Sequence, residues 1–304
     1  MFDLAQRLTG YKKERMRFFT SLGYCPDLKN PQSFNEKVLW KKIYDKNPLL
    51  PIISDKYRVR DYIRDVLGEK EAEKILVPLL YATANPESIP FDTLPEEYII
   101  KPNHACEMSI FAEDVEQQRR YTIIDGHNTA TLFDCKAARD EIVRVCKSWL
   151  LTPYGFSQHE WAYQKIKRKI VIEKLLRDSE GKIPVDYKLL VFHGKCHTIT
   201  VWYDRFIDIN KAHYTPEWKY INVRGRTRQA EYKKKPENLK SMIDIAELLA
   251  KPFDFIRVDL YLIDNRIYFG ELTNYPMSGL IPFDPASFDF ELGSKWKLVP
   301  GYWK

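Results

Sequence analysis

At 304 residues and 36.1 kDa, with 44% hydrophobic and 30% charged residues, the chain is long enough for two or three subdomains and is neither disordered nor fibrous in composition. Its net charge of +6 comes from 48 basic and 42 acidic residues, with basic clusters at Lys165–Lys169 and Arg224–Lys235. No nucleic-acid reader motif accompanies them and no run of about 18 apolar residues occurs, so the charge bias points to an anionic substrate or anionic lipid, not to nucleic acid or a membrane span.

The N-terminal MFDLAQRLTGYKKER lacks an apolar h-region, which predicts a cytoplasmic protein. Residues up to about 96 read as mainly helical: Phe34–Tyr44, then Asp55–Leu67 with Val59, Ile63, Val66 and Leu67 on one face and Ser54 as N-cap. Lys56 and Arg60 share a different face of that helix, normally a solvated one. Pro78, Pro86, Pro90 and Pro95 then punctuate a connector. A short strand at Tyr98–Lys101, the loop PNHACEMS and a strand at Ile110 follow, and then a helix at Ala138–Leu151 with Ile142, Val145, Cys146 and Trp149 inward. Strands at Lys169–Leu176, Val185–Phe192 and Lys195–Tyr203 read as an antiparallel meander, and 204–236 as a long polar, aromatic and basic loop. Cys25, Cys106, Cys135, Cys146 and Cys196 are scattered without a CxxC, against a disulfide framework or a zinc site.

After a helix at Asn238–Ala250 comes the hairpin FIRVDLYLIDNRIYFGELTNYPMSG, which alternates apolar and polar residues and keeps Asp259 and Glu271 at opposite ends of its two strands. A two-residue turn would pair Ile263 with Arg266 and send the two acids to opposite faces. A three-residue loop ending at Asn265, a residue tolerant of the left-handed conformation, puts Arg257, Asp259 and Glu271 on one face, and that register is expected. Two carboxylates and a guanidinium there suit Mg²⁺ and polyphosphate. The alternative is an exposed strand face with an Arg257–Glu271 ion pair worth under about 1 kcal/mol.

Taken in order, NPQSFNEKVLWKKIYDKNPLLPIISDKY, YIIKPNH, IVIEKLL, DYKLLVFHGK, FDFIRVDLY and YFGELT resemble the TupA-like ATP-grasp family of bacterial surface-polysaccharide loci, from about Gly23 to Trp296. The resemblance implies an α+β ATP-grasp fold in which two α+β subdomains, 97–172 and 173–304, clasp ATP after a mainly helical region, 1–96, with an insertion at 204–236. It implies that Lys101 contacts the α/β-phosphates, with His104 and Ser109 in the loop beyond it. Glu173, Lys174 and Leu176 would read the adenine edge, with Ile172 and Phe269 sandwiching the ring. Asp186 would meet ribose or substrate, and Lys188 the transferred phosphoryl group. Asp259 and Glu271 carry over as Mg²⁺ ligands with Arg257 beside the phosphates. Thr273 stands where many members keep Asn, with Asn274 next, which leaves one or two metal ions open.

The chain departs from the family at the phosphate loop, where glycines usually let backbone N–H groups approach the nucleotide. Here it reads His104-Ala105-Cys106-Glu107-Met108-Ser109; either the loop folds over ATP with Glu107 outward, or nucleotide binding is weakened.

The implied activity is ATP-dependent ligation of a carboxylate, such as a uronic acid, to an amine or amino acid on a surface glycan, with peripheral association to membrane-bound glycan machinery. Lys56, Arg58, Arg60 and Ser278 are assigned to the acceptor, together with the aromatic and basic insertion. The alternatives are a glycan phosphotransferase or glycosyltransferase-like enzyme, and a nucleotide- or glycan-binding protein.

Overall fold

The structure is a computed structural model, and it describes residues 10–126, 128–203, 210–225, 228–230 and 232–299. The helical start is set by local capping. Helix α1 spans Lys12–Leu22 and α2 spans Phe34–Tyr44, the latter opened by a capping box in which Ser33 Oγ accepts from the Glu36 N–H and Glu36 accepts from the Ser33 N–H. Short helix α3 is Leu50–Ile53, α4 is Val59–Leu67 and α5 is Glu69–Ile75. The expected N-cap at Ser54 is not one. Ser54 closes α3, and the Asp55 carboxylate accepts from the N–H groups of Tyr57 and Arg58, so α4 begins at Val59 and residues 55–58 form a turn.

The first sheet contains β1 (Leu79–Thr83), β2 (Tyr98–Pro102), β3 (Met108–Val115), β4 (Gln118–Asp125), β5 (Asn128–Phe133) and, after α6 (Lys136–Leu151) and α7 (Trp161–Gln164), β6 (Ile170–Lys174). Its order is β1-β6-β2-β3-β4-β5. Tyr98, Ile100, Ile110, Ile170 and Ile172 cluster with Ile142, Cys146 and Trp149 of α6, so one face of this sheet is a closed core. The second sheet contains β7 (Asp186–Phe192), β8 (Lys195–Tyr203), β9 (Asn210–Tyr214), β10 (Tyr220–Ile221), β11 (Arg228–Gln229) and, after α8 (Leu239–Ala250), β12 (Phe255–Ile263) and β13 (Arg266–Thr273). Its order is β10-β9-β8-β7-β12-β13, antiparallel except for β11, which runs parallel to β9. A last helix, α9, spans Ser287–Ser294.

Three expectations are corrected here. β6 does not continue into a meander with β7: it pairs with β1 and β2, so the change of sheet falls between Lys174 and Asp186, and a boundary at 172/173 would cut the strand. β1 is a strand inside the region expected to be mainly helical. Part of the segment expected to be a loop is strand, since Ala212 and Tyr214 are buried and the Tyr214 and Trp218 rings stack at 4.0 Å; residues 204–209, 226–227 and 231 of that insertion lie outside the described residues.

Alternation along β12 and β7 separates two faces. Val258, Leu260, Leu189 and Val191 join the large core, which also takes in Met242, Ala246 and Leu249 of α8. The opposite face is apolar only at one end, where Phe34, Phe192, Phe255 and Trp296 pack ring on ring. Beyond that cluster the same face turns ionic. Among the described residues, no helix is long and apolar enough to cross a membrane.

Candidate active site between the two sheets

The hairpin turn has two residues, Asp264 and Asn265, both left-handed with φ of 45° and 61°, and Ile263 pairs with Arg266. This corrects the expected three-residue loop: a primed turn matches the twist of the strands, and Asp and Asn tolerate it. The acids nevertheless meet. The register slips by one residue between Asp259 and Leu260, leaving Gly270 as the extra residue of a β-bulge and pairing Asp259 directly with Glu271. A Cβ on Gly270 would lie 3.1 Å from both the Asp259 carbonyl oxygen and the Tyr261 ring, so a residue without a side chain suits this position.

Around the paired acids the charges are shared. Arg257 donates from Nε to Asp259 Oδ1 and from Nη2 to Asp259 Oδ2, each at 2.6 Å, and from Nη2 to Glu271 Oε1 at 2.8 Å. Lys188 Nζ donates to Asp259 Oδ2 at 2.5 Å and to Asp186 Oδ2 at 2.7 Å, and Thr273 Oγ1 donates to Glu271 Oε1 at 2.9 Å. Asp186, Lys188 and Asp259 are buried, whereas the Glu271 side chain is 41% exposed. Burial pushes the Asp259 carboxyl up against the pull of Arg257 and Lys188. Burial also opposes the Arg257 charge, but Asp259 and Glu271 more than offset it and hold the guanidinium above its ordinary value.

In the first sheet, β2 and β6 carry Lys101 and Glu173 on one face. Glu173 takes Lys101 Nζ at 3.4 Å on one oxygen and Arg60 Nη1 at 3.3 Å on the other. On the same strand face as Lys101 and Glu173 lie Ile99, Phe111 and Leu175, a small apolar cluster of their own. These three are the apolar surface missed in the sequence. Ile172 is one residue out of phase and belongs to the α6 core, while Phe269 pairs with Leu260 and belongs to the core of the other sheet, so the expected sandwich of those two side chains is not formed. Lys174 is exposed and its N–H donates to the Pro78 carbonyl, leaving Leu176, partly buried beyond the strand end, as the other expected hinge position.

The remaining expected residues divide. His104 is buried, and burial, aided by Arg168 and Lys56, pushes it down to about 4, so it is neutral and no cation for a phosphate. Glu107 is exposed at φ 58°, and Ser109 is half-buried at the start of β3. Asn274 is not brought to the acids: its amide donates to Ser54 Oγ at 2.6 Å and anchors the strand end on α3. Arg58 is exposed, Arg60 is committed to Glu173, and Ser278, left-handed at φ 59°, accepts from buried Lys42 at 2.8 Å.

Lys211 belongs to the ionic face and was hidden in the segment read as a loop, where only Ala212 and Tyr214 alternate with polar residues. Its Nζ sits 4.0 Å over the Trp202 ring, which Lys188 approaches at 4.5 Å. Burial, Lys188 and Arg257 push Lys211 down to about 8. Binding of a polyphosphate at this face is therefore expected to weaken roughly tenfold per pH unit above that value, as the ammonium deprotonates, and to lose this slope in Lys211→Met. A slope that persists in the variant, measured by calorimetric titration between pH 7 and 9.5, assigns it to another group.

Donor chemistry decides what cation fits. Among the described residues no group of three or more His, Cys, Asp or Glu side chains is placed to hold a metal ion, which argues against a closed structural metal centre. Two hard carboxylates on adjacent strands fit Mg²⁺, which keeps waters and takes the rest of its shell from phosphate oxygens. Concavity alone does not mark the site: two depressions, of about 350 and 530 Å³, open beside Phe91 and Arg139 on the first sheet and α6 and share no residue with the hairpin.

The profile of the TupA-like ATPgrasp family matches residues 36–297. No curated protein matches. Among solved structures, D-alanine–D-alanine ligase from Bacillus anthracis is similar at 16% identity and a TM-score of 0.42, over 80% of this chain and 65% of that one. The Helicobacter pylori D-alanine–D-alanine ligase is similar at 14% and 0.40, over 82% and 60%, and the ATP-grasp ligase PsnB complexed with minimal precursor at 14% and 0.40, over 79% and 59%. The chain thus spans less than two thirds of the ligases it matches. With the family profile extending over most of its length, the chain belongs to the TupA-like ATP-grasp family.

Proposed function

We propose that this protein is an ATP-dependent carboxylate–amine ligase that forms an amide on a surface polysaccharide or its precursor through an acyl phosphate. The observation that carries the reading is the direct pairing of Asp259 with Glu271 on a face that also holds Arg257, Lys188 and Asp186. In this reading ATP transfers its γ-phosphoryl group to a carboxylate oxygen, releasing ADP. An amine then attacks the acyl carbon, the bond from that carbon to the phosphate oxygen breaks, inorganic phosphate leaves and the ammonium gives up its proton. Asp259 and Glu271 would hold Mg²⁺, which supplies charge neutralisation of the polyphosphate.

The chain's own groups do the positioning. Lys101 meets the α/β-phosphates, Lys188 and Arg257 stabilise the transferring phosphoryl group, and Ile99, Phe111 and Leu175 offer the base an apolar surface beside Glu173. Thr273 orients Glu271 through its hydroxyl. Ser278 and Arg58 remain assigned to the acceptor. The workplace in this reading is the cytoplasm, beside membrane-bound machinery for capsular or cell-wall glycan.

ATP consumption with a uronate-containing oligosaccharide, with and without added amino acids, tests the reading. ADP released only when both are present supports ligation. ADP released with the sugar alone identifies a phosphotransferase, and bound ATP with no turnover identifies a binding protein; either result overturns the ligase.

A further inference from the structure

Helix α1 has two sides of opposite character. Its inner side is fixed: buried Glu14 takes Lys42 Nζ at 3.1 Å and Arg17 Nη1 at 3.3 Å, Phe18 packs in a core with Leu39 and Ile43 of α2, and Lys42 donates onward to Ser278 Oγ at 2.8 Å. The outer side carries Lys12, Arg15, Met16 and Phe19, spaced i, i+3, i+4 and i+7, so they form one stripe, with Lys13 beside it. All five are exposed, Met16 at 63% and Phe19 at 47%. The one acid of the helix is Glu14, on the buried side.

Helix stability does not account for this stripe. The helix dipole favours anions in the first turn, yet Lys12 and Lys13 open the helix there. Packing does not account for it either, since two large apolar side chains are left exposed among three cations. Two more exposed rings border the helix. Arg17 Nη1 donates to the Ser157 carbonyl at 3.0 Å, which sets exposed Phe156 next to α1, and Tyr24, whose ring meets Phe18 at 5.0 Å, reaches exposed Phe290 of α9 at 6.0 Å.

Cations interleaved with exposed apolar side chains on one helix face match a surface that is anionic at its outer level and apolar just beneath. A nucleic-acid backbone would leave Met16 and Phe19 in water, and a purely apolar groove would strand the three cations. We infer that α1 docks the protein on an anionic phospholipid bilayer, with Lys12, Lys13 and Arg15 at the headgroup phosphates and Met16 and Phe19 inserted between them. Because Glu14 and Lys42 tie the inner side of α1 to Ser278, docking fixes the loop after β13 relative to the lipid. Lipid docking does not depend on the ligase reading, and ATP turnover has no part in its test.

Co-sedimentation of the full chain with vesicles of phosphatidylcholine alone, and with vesicles that also contain phosphatidylglycerol, tests this. Binding to the phosphatidylglycerol vesicles is expected to be at least about tenfold tighter than to the neutral ones, and to weaken as salt is raised. Met16→Ser combined with Phe19→Ser should weaken binding to the anionic vesicles at least about tenfold, and Lys12→Gln combined with Arg15→Gln should do the same while flattening the salt dependence. All four positions are exposed, so thermal melts should match the wild type; if the apolar pair does not fold, the charge pair carries the expectation by itself. Wild type that does not bind anionic vesicles, equal binding to both vesicle types, or binding that either folded variant retains unchanged overturns the inference. A wild-type dimer that the apolar pair splits into monomers, with no vesicle binding, assigns the face to self-association and also overturns it.

Discussion

Glu271→Gln is expected to lower ATP turnover by at least about 10²-fold while leaving the melting temperature nearly unchanged. The amide keeps the shape of the side chain and an oxygen for Arg257 and Thr273, but it removes the charge that a hard divalent cation needs. The stability cost is small because the Glu271 side chain is substantially exposed, where an ion pair is worth about 0.2–1 kcal/mol. Asp259→Asn should cost as much activity and considerably more stability, since Asp259 is buried between Arg257 and Lys188. A coupled assay for ADP and a thermal melt on each variant separate the two effects. Near-normal turnover in either variant would remove the pair from the site.

Lys188→Met is expected to cost about 3–5 kcal/mol of stability as well as turnover, because it strips a buried cation from Asp186 and Asp259 at once. Arg257 still donates to Asp259 after the change, whereas Asp186 loses its Lys188 ion pair. Adding Asp186→Leu to Lys188→Met should therefore restore much of the lost stability, since removing both partners of a buried pair is far less costly than removing one. Turnover should not return, because the double variant lacks the cation beside the phosphoryl group. Denaturant melts of the single and double variants give the coupling directly. Recovery of activity along with stability would make Lys188 a structural residue only.

The parts of the fold that were legible in the sequence are those in which one local rule decides. The FNEKVLWKKIY helix has its capping residues on either side of a clear start, and β8 alternates from Ile199 to Trp202. The hairpin strands were legible for the same reason. Its register was not, because two departures act in opposite senses: a two-residue turn would separate the acids, and the Gly270 bulge reunites them. Both depend on local backbone strain and ring contacts, which alternation does not encode. Which sheet β6 joins is a matter of long-range pairing with β1 and β2, and no periodicity within IVIEK reports it. The same limitation hid the apolar cluster of Ile99, Phe111 and Leu175. Ile172 and Leu175 are equally apolar in sequence, and only the pairing partners fix which face of the strand is turned to the cleft.

At the site, charge identity was readable and charge partnership was not. Asp186, Lys188, Arg257, Asp259 and Glu271 stand out as ionisable residues in strands, and they do converge. Lys211 required the tertiary structure, since it comes from a segment with weak periodicity. Asn274 illustrates the converse: a residue type suited to a metal is turned by strand alternation toward α3 and used as an anchor.

The central claim is that the bulged hairpin holds a cation together with the nucleotide's polyphosphate, and calorimetric titration of AMP-PNP with and without Mg²⁺, on wild type and Glu271→Gln, tests it most directly. The account predicts tight binding to the wild type that depends on Mg²⁺, and weak binding to the variant that Mg²⁺ does not improve. Wild-type affinity that is the same in the presence of a chelator, or a Glu271→Gln variant that responds to Mg²⁺ as the wild type does, would contradict it.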